Sequence, residues 1–258
     1  MERLDPRMVL GAYAVGVFPM ADHRTADGVY WVEPKRRAIM PLDGFHLSRS
    51  LKKAIISNRF RVTADTAFEQ VIALCAQSAN DRPETWISGQ IETVFTQLHQ
   101  RGYAHSVECW VGDRLAGGLY GLALGRAFFG ESMVSRERDA SKVALAWLVA
   151  RLRRGGFTLL DCQFQTDHLA SLGAIEISRA DYLGRLSAAV DGVVAGALGA
   201  AGGAAGGASA ASPSSASPPS SDAAGDFFAL DTVGRSAIDT VAAPPDGKLI
   251  AQLLGHTS

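Results

Sequence analysis

The spacing of the hydrophobic residues changes from a helical to an alternating period close to Gly102. Before that point, Ile91, Val94, Phe95 and Leu98 recur at the three- and four-residue spacing of one helix face. Beyond it, apolar and polar residues alternate over three segments separated by Gly-X pairs, the pattern of β-hairpins. The three predicted antiparallel strands are Ser106–Val111, Leu115–Leu122 and Ala127–Met133, with turns at Gly112-Asp113 and Gly125-Arg126.

A helix, a fourth strand and a short helix follow the hairpins. Ala140–Arg154 has helical apolar spacing, with Asp139 as its predicted N-cap and Gly155 as its end. Phe157–Phe164 alternates like a strand, and a helix is predicted from about residue 166 to 172. Hairpins followed by a helix and a further strand predict an α+β domain with a mixed sheet.

Shorter elements precede the hairpins. They predict a small N-terminal α+β domain, residues 1–64, ahead of a main domain, residues 65–190. The predicted elements are a helix at Arg7–Val17, an extended segment at Phe18-Pro19, a strand at Tyr30–Val32, a helix capped by Ser48, and a strand at Phe60–Thr63.

The composition changes after residue 190. Val193–Ser221 contains no charged residue and consists of Gly, Ala, Ser, Pro, Val and Leu. Such a segment cannot bury enough apolar area to offset the conformational entropy lost on folding. We therefore expect residues 191–258 to form a disordered tail, with Phe227-Phe228 and Leu249-Ile250 as candidate docking points.

Charge and cysteine content limit the possible classes of protein. The formal net charge is -1, so only a local basic cluster could indicate binding to nucleic acid. The three cysteines show no metal-ligand spacing, which predicts neither a metal site nor a disulfide framework. No signal-peptide pattern and no membrane-spanning apolar run is present. These features predict a cytoplasmic protein.

A carboxylate and an amide occur two residues apart on the fourth strand. Alternation places Asp161 and Gln163 on the same face of Phe157–Phe164, among apolar neighbours. An unpaired charge would be costly in such surroundings. Two interpretations remain open from the strand alone: a buried aspartate satisfied by backbone donors, and a catalytic pair.

The densest basic cluster lies in the N-terminal part. Arg49, Lys52 and Lys53 share the start of one predicted helix, and the run 35–37 (Lys-Arg-Arg) precedes it. Such a cluster could contact phosphate groups, which gives salt-dependent binding that is mostly independent of sequence. The alternative is an ordinary solvated helix face.

Several blocks of sequence together resemble one enzyme family. The blocks are Gly102–Glu108, Gly117–Gly121, Phe129–Met133, Asp139–Lys142, Leu160–Gln163 and His168–Ala174, extended upstream by Phe18-Pro19, Trp31 and His46–Ser50. In this order they resemble the leucyl/phenylalanyl-tRNA–protein transferases, over roughly residues 10–186. The tail has no counterpart in the resemblance.

The resemblance implies a fold and an activity. The main domain would be acetyltransferase-like (GNAT), preceded by the smaller N-terminal domain. The enzyme would move leucine, phenylalanine or methionine from an aminoacyl-tRNA to the N-terminal arginine or lysine of a protein, marking that protein for degradation. The ester is already activated, so no cofactor is expected, and we expect a monomer.

The resemblance also implies roles for particular residues. Asp161 would hydrogen-bond the incoming amine, and Gln163 would hold the amine or the ester oxygen. Arg49, Lys52 and Lys53 would bind the tRNA. Possible acidic walls for the protein substrate are Asp161, Glu131 and Glu108. The residues expected to bind the aminoacyl group are Phe128, Glu131, Met133, Trp86, Trp31 and Met20, the last in place of a tryptophan that is common in the family.

Two other functions remain as alternatives. The first is an acyl-CoA-dependent acetyltransferase on the same fold. The loop Ser135–Ser141, before the predicted helix, disfavours it, because the loop lacks glycine and carries two acidic residues. The second is a non-catalytic RNA-binding adaptor, in which Asp161 and Gln163 are merely structural.

Overall fold

The computed structural model describes residues 4–77, 85–191, 224–233 and 245–255. Strands in these ranges form a two-stranded and a seven-stranded sheet. The strands are β1 (Phe18–Met20), β2 (Tyr30–Val32), β3 (Arg36–Ile39), β4 (Arg61–Ala64), β5 (Ala104–Val111), β6 (Arg114–Leu124), β7 (Ala127–Ser135), β8 (Leu159–Gln163) and β9 (Ile175–Ser178).

The large sheet has the order β4-β5-β6-β7-β8-β3-β9, and β1 pairs with β2 in the small sheet. Neighbouring strands of the large sheet are antiparallel except β7 and β8, which are parallel. Helix α5 (Ala140–Arg154) joins these two strands, since a parallel pair requires a crossover connection. The predicted α+β class with a mixed sheet is confirmed, and its strand–helix–strand order fits an acetyltransferase-like domain.

Helices cover both faces of the large sheet. The other helices are α1 (Pro6–Ala14), α2 (Arg49–Ile56), α3 (Phe68–Cys75), α4 (Gly89–Gln100), α6 (Asp167–Ser171), α7 (Arg179–Val190) and α8 (Gly247–Gly255). One core, with α2, α5 and α8, includes Leu119 and Phe128, whereas the other, with α1, α3, α4 and α7, includes Tyr120 and Phe129. Adjacent residues of β6 and β7 therefore enter opposite cores, as strand alternation requires.

The predicted helix caps have different outcomes. Ser48 caps α2, because its Oγ accepts the N–H of Leu51 at 3.2 Å. The prediction that Asp139 caps α5 is wrong: its backbone is left-handed, with φ 70°, and its side chain makes no capping bond. Ser135 Oγ instead accepts the N–H of Ser141 at 3.2 Å, so an upstream hydroxyl satisfies the first turn.

The large sheet contains strands from both sides of the predicted domain boundary at residue 64. β3 and β4 precede that boundary, yet β3 lies between β8 and β9, and β4 pairs with β5. Before β3, the described residues form α1, the small sheet and the loops that connect them. The division at residue 64 stays a prediction.

Two segments of the predicted tail pack against the rest of the chain. Phe227 and Ile250 are buried, which confirms both predicted docking points. A 3-10 turn forms at Ala229–Thr232, and α8 is a regular helix, although a disordered tail is expected from the sequence. The rest of the predicted disordered tail, residues 192–223, 234–244 and 256–258, lies outside the described residues.

The described residues contain no group of three or more His, Cys, Asp or Glu side chains that could hold a metal ion. No helix among them is long and apolar enough to cross a membrane. Cys109 and Cys162 are free thiols.

Gly121 in β6 leaves room for the aromatic side chain of a neighbouring strand. A Cβ at this position would overlap the carbonyl oxygen of Phe129 and the ring of Phe128. Gly130 pairs with Gly121 across the ladder, and a Cβ added there would meet only ordinary contacts, the nearest being Asp161 O at 3.5 Å. The two paired glycines therefore differ in how tightly the fold constrains them.

We predict that Gly121→Ala lowers the free energy of unfolding by about 1–3 kcal/mol, because the added methyl group overpacks the core. Gly130→Ala is the matched control, and its unfolding free energy should stay close to that of the natural sequence. Urea unfolding monitored by tryptophan fluorescence measures both. Equal stability of the two variants would contradict the proposed steric role of Gly121.

Candidate active site

The pairing between the parallel strands β7 and β8 ends at Phe129 and Asp161. Glu131 and Gln163 follow two residues later on their respective strands. Side chains beyond the carboxyl ends of paired parallel strands commonly form ligand sites. These two polar residues therefore mark the candidate site.

Glu131 is the extra residue of a β-bulge in β7. Tyr120 pairs with Ser132, but the next residue of β6, Gly121, pairs with Gly130, so Glu131 has no partner across the ladder. Bulges bend a strand and re-aim a side chain, and they are frequent beside active sites. This local insertion accounts for the position of Glu131 at the site.

Gln163 ends β8 with a left-handed backbone, at φ 55°. Its N–H donates to Asp161 Oδ1 at 2.8 Å, which stabilises this sparsely populated conformation. Its side-chain amide donates to Glu131 Oε1 at 3.1 Å. The two polar residues of the site are thereby connected to each other, and Asp161 holds the backbone of one of them.

Asp161 is fully buried beneath the site. Its oxygens accept bonds from Arg37, with Nε at 2.9 Å from Oδ1 and Nη2 at 2.5 Å from Oδ2, and from the hydroxyl of Tyr182 at 2.9 Å. The prediction that Asp161 and Gln163 share one open face is wrong, because the left-handed backbone of Gln163 breaks the alternation of β8. Cys162, which lies between them on β8, lines the site together with Gln163.

Arg37 connects Asp161 to the N-terminal segments. Its Nη1 donates to Gly16 O at 3.0 Å, just after α1. Its guanidinium lies between two aromatic rings, 4.6 Å from the centroid of Phe18 and 4.5 Å from that of Tyr182. Sequence alone groups Arg37 with the basic run of residues 35–37; the structure removes it from that cluster, because it is a buried partner of Asp161.

A largely apolar cavity of about 340 Å³ opens beside Glu131 and Gln163. Side chains from β6, β7, α5 and β8 supply much of its lining. Phe18 and Met20 of β1 also contribute, together with Trp86, whose carbonyl accepts the N–H of Ala21 at 3.2 Å. The apolar residues contributed by the sheet and α5 are Leu119, Met133, Leu145, Leu148 and Leu160.

The cavity brings together five of the residues predicted from the sequence: Met20, Trp86, Glu131, Met133 and Gln163 all line it. Phe128 and Trp31 do not. The ring of Phe128 is buried against Phe157 and Phe227, with centroid distances of 6.4 Å and 5.8 Å. Trp31 lies opposite Pro19 in the small sheet and is partly exposed. The predicted placement of Phe128 and Trp31 in the pocket is therefore wrong in this structure.

Two acidic groups at the site, Glu131 and Cys162, have pKa values above those of exposed side chains. Burial raises the pKa of Glu131 to about 8, with a further increase from the charge of Asp161, although Tyr13, Arg37 and Gln163 act in the opposite direction. Glu131 is thus mostly neutral at pH 7. Burial also raises the pKa of the Cys162 thiol, which keeps it protonated and poorly nucleophilic.

The predicted tRNA-binding residues Arg49, Lys52 and Lys53 are all exposed on α2. The opposite side of this helix buries Leu51 and Ile55. The three cations therefore project from one amphipathic helix, where phosphate groups could reach them.

Two charged residues that were considered for substrate binding are bonded to other residues of the protein. Arg36 forms an exposed ion pair with Glu176 on the neighbouring strand β9. Glu108, considered as an acidic wall, is buried and accepts bonds from the hydroxyls of Thr63, Thr66 and Ser106. Glu108 is therefore a satisfied core carboxylate, and Glu131 is the carboxylate that lines the cavity.

We predict that Arg37→Leu lowers the free energy of unfolding by about 3–5 kcal/mol, because it leaves the buried carboxylate of Asp161 without its ionic partner. The matched control is Arg36→Leu, which removes an exposed pair and should cost less than about 1 kcal/mol. Urea unfolding at pH 7 compares them. A loss for Arg37→Leu no larger than that of the control would show that the buried pair contributes little.

Comparison of the sequence with known proteins identifies a family. The leucyl/phenylalanyl-tRNA protein transferase family matches residues 39–187, and its N-terminal domain matches residues 2–35. The N-terminal match ends just before β3, and the other match begins at the last residue of β3. The junction between them therefore lies upstream of the boundary predicted at residue 64.

Curated relatives extend the match. A protein from Rhizorhabdus wittichii is 61% identical over 260 residues, which cover 100% of both chains. One from Novosphingobium aromaticivorans is 49% identical over 99% of this chain and 97% of its own length, and one from Zymomonas mobilis is 65% identical over 72% and 70% respectively. All three are named leucyl/phenylalanyl-tRNA–protein transferase. With most of its length matched, the chain belongs to the leucyl/phenylalanyl-tRNA–protein transferase family.

Proposed function

We propose that this protein transfers leucine, phenylalanine or methionine from an aminoacyl-tRNA to the N-terminal arginine or lysine of a protein, which marks that protein for degradation. Family membership supports the reaction. The observation that carries the proposal is the apolar cavity that opens directly beside Glu131 and Gln163. It offers a site for an uncharged side chain next to polar groups that could act on an ester.

The cavity suits the side chain of the transferred amino acid. Leucine, phenylalanine and methionine are all apolar, and the aliphatic lining from Leu119, Leu145, Leu148 and Leu160 would exclude water around them. Met133 adds a flexible thioether that can adapt to different side-chain shapes. Such a lining would accept several apolar residues and reject charged ones, because a charge would lose its hydration.

The reaction is the aminolysis of an ester. The α-amino nitrogen of the protein substrate attacks the ester carbonyl, an amide bond forms, and the bond to the terminal ribose oxygen of the tRNA breaks. The proton lost by the amine ends on that oxygen, which leaves as a hydroxyl. No cofactor is required, because the ester is already activated.

Glu131 and Gln163 are the polar groups positioned to assist. The α-amino group has a pKa of about 8, close to the value of about 8 for Glu131. Matched pKa values favour proton transfer between the two groups. The Gln163 amide would orient the amine or the carbonyl oxygen, and the role of Asp161 would be to position Gln163 through its backbone N–H.

The same carboxyl group could select a cationic substrate. When the α-ammonium or the arginine or lysine side chain of the protein substrate approaches, its charge lowers the pKa of Glu131 and favours the ionised form. Glu131 would then act as the acidic wall of the site. Its burial makes this response strong, since the surroundings screen charge less than water does.

Binding of tRNA is assigned to the exposed cations of α2. Arg49, Lys52 and Lys53 would contact phosphates of the acceptor end, which gives affinity that falls as salt is added. In this proposal the enzyme acts as a monomer in the cytoplasm, where charged tRNA is made.

An acyl-CoA-dependent reaction is disfavoured by the start of α5. This turn lacks the glycine-rich backbone that would cradle a pyrophosphate, and Ser135 Oγ already accepts the N–H of Ser141. Glu137 adds negative charge there and pairs with Arg59 and Arg114. A phosphate group would therefore meet a carboxylate and an occupied backbone donor.

We predict that Gln163→Asn lowers kcat for transfer by about 100-fold, because the shortened side chain moves the amide by more than ~1 Å. Asparagine tolerates the left-handed backbone, so the unfolding temperature should change little. The assay follows labelled phenylalanine from charged tRNA to a peptide that starts with arginine. Transfer at the natural rate would exclude Gln163 from the reaction.

We predict that the double variant Arg49→Glu, Lys52→Glu weakens tRNA binding at least tenfold and reduces the slope of log K against log salt by about 2, one for each removed cation. The control is Arg101→Glu, Arg138→Glu, which changes the net charge equally at exposed positions outside α2. Filter binding at several salt concentrations measures both. An unchanged slope for the α2 variant would assign the tRNA contact to another surface.

A further inference from the structure

We use the name C-terminal clip for the two described C-terminal segments, residues 224–233 and 245–255, which both pack against α5. The backbone of the clip's first segment, residues 224–233, is hydrogen-bonded to the turns that follow β6 and α5. Gly225 N–H donates to Gly125 O at 2.9 Å, and Asp226 N–H donates to Gly155 O at 2.9 Å. A Cβ on Gly155 would overlap Asp226 O, and one on Gly225 would overlap the ring of Phe157. This close fit indicates a specific docking site rather than loose apolar contact.

An aromatic side chain anchors the same segment. Phe227 is buried and stacks on His105, with ring centroids 4.2 Å apart, and on Phe128 at 5.8 Å. Phe128 belongs to β7, the strand that carries Glu131. The clip therefore completes the packing behind the strand that supports the candidate site.

An ion pair also fixes the first segment of the clip to α5. Arg151 of α5 is buried, and its Nη1 and Nη2 donate to the two carboxylate oxygens of Asp231 at 2.7 Å and 2.6 Å. Nη1 also donates to Phe227 O at 3.3 Å. A buried guanidinium needs such a partner, because an uncompensated charge in the core is strongly destabilising. The clip supplies that partner.

The second segment, α8, packs along α2. Gly247 N–H donates to Asn58 Oδ1 at 2.9 Å, and a Cβ on Gly247 would overlap Ile55 O. At its other end, Leu254 shares a hollow with Lys52. The two helices are therefore antiparallel, and α8 buries Ile250, Ala251 and Leu254 in the core that contains Leu51 and Ile55 of α2.

This contact matters for α2 because the helix has only eight residues. A helix of this length is not stable alone in water and depends on tertiary packing. Leu51 and Ile55 are the residues that α2 buries, and α8 packs beside them. Removal of α8 would expose part of this packing and loosen the helix that carries Arg49, Lys52 and Lys53.

We propose that the C-terminal clip is a positioning element for tRNA binding: it holds α2 in place and thereby presents its three cations at fixed positions. The proposal rests on the function proposed above, in which α2 binds tRNA. The clip touches no reacting group, so it acts on the affinity for tRNA and leaves the chemical step to the residues of the cavity.

Two glycines of α8 allow a matched test in the full chain. Gly247→Ala introduces a methyl group against Ile55 O, whereas Gly255→Ala introduces one where nothing lies within 4 Å. Asp231→Asn is a second variant, which weakens the ionic anchor of the other segment. For each variant, hydrogen exchange of the α2 amides, the Kd for aminoacyl-tRNA and kcat at saturating tRNA are measured.

The expected result for Gly247→Ala is faster exchange in α2 and a Kd raised by about tenfold, with kcat unchanged. Asp231→Asn, which loosens the segment that is anchored to α5, should change the exchange and the Kd in the same direction by less. Gly255→Ala should match the natural sequence in all three. Kd values within twofold of this control in both variants would overturn the proposal, whether or not exchange becomes faster. The assignment of tRNA binding to α2, on which this proposal rests, fails separately, through an unchanged salt slope in the α2 charge-reversal variant.

Discussion

The ion pair between Arg37 and Asp161 determines how the parts of this protein are arranged. Removing two charges from water is costly, and such a pair is stable only when its remaining donors and acceptors are satisfied. Gly16 and Tyr182 supply those bonds, and Phe18 and Tyr182 enclose the guanidinium. The end of α1, the small sheet, β3, β8 and α7 must therefore all assemble before the pair is buried favourably.

The same pair shapes the candidate site from behind. Because Arg37 and Tyr182 hold the carboxylate of Asp161, its Oδ1 is fixed as the acceptor for the backbone of Gln163. Gln163 in turn bonds Glu131, which the bulge in β7 places beside the cavity. The β-bulge in β7, the left-handed backbone of Gln163 and the hydrogen bonds of buried Asp161 thus fix the polar groups at the site. Such preorganisation lowers the cost of orienting a substrate.

Local sequence patterns predicted most of the fold. Alternation and Gly-X turns located the hairpins, and Ser48 marked the start of α2, because these signals depend only on neighbouring residues. The relative orientation of Asp161 and Gln163 could not be predicted this way, since Gln163 has a left-handed backbone and its N–H bonds the side chain of Asp161. The burial of Arg37 depends on contacts with residues 21 and 124 positions away, and a run of three basic residues gave no sign of them.

Part of the site was nevertheless accessible from the sequence, because the resemblance supplied positions that alternation could not. Met20, Trp86, Glu131, Met133 and Gln163 meet at the cavity, although they come from four separate parts of the chain. The bulge at Glu131 has one further consequence for any comparison of such chains. It shifts the phase of β7, so that Phe128 and Met133 pack against the same core although they are five residues apart, and strict alternation counted from Phe128 would turn Met133 out of the cavity.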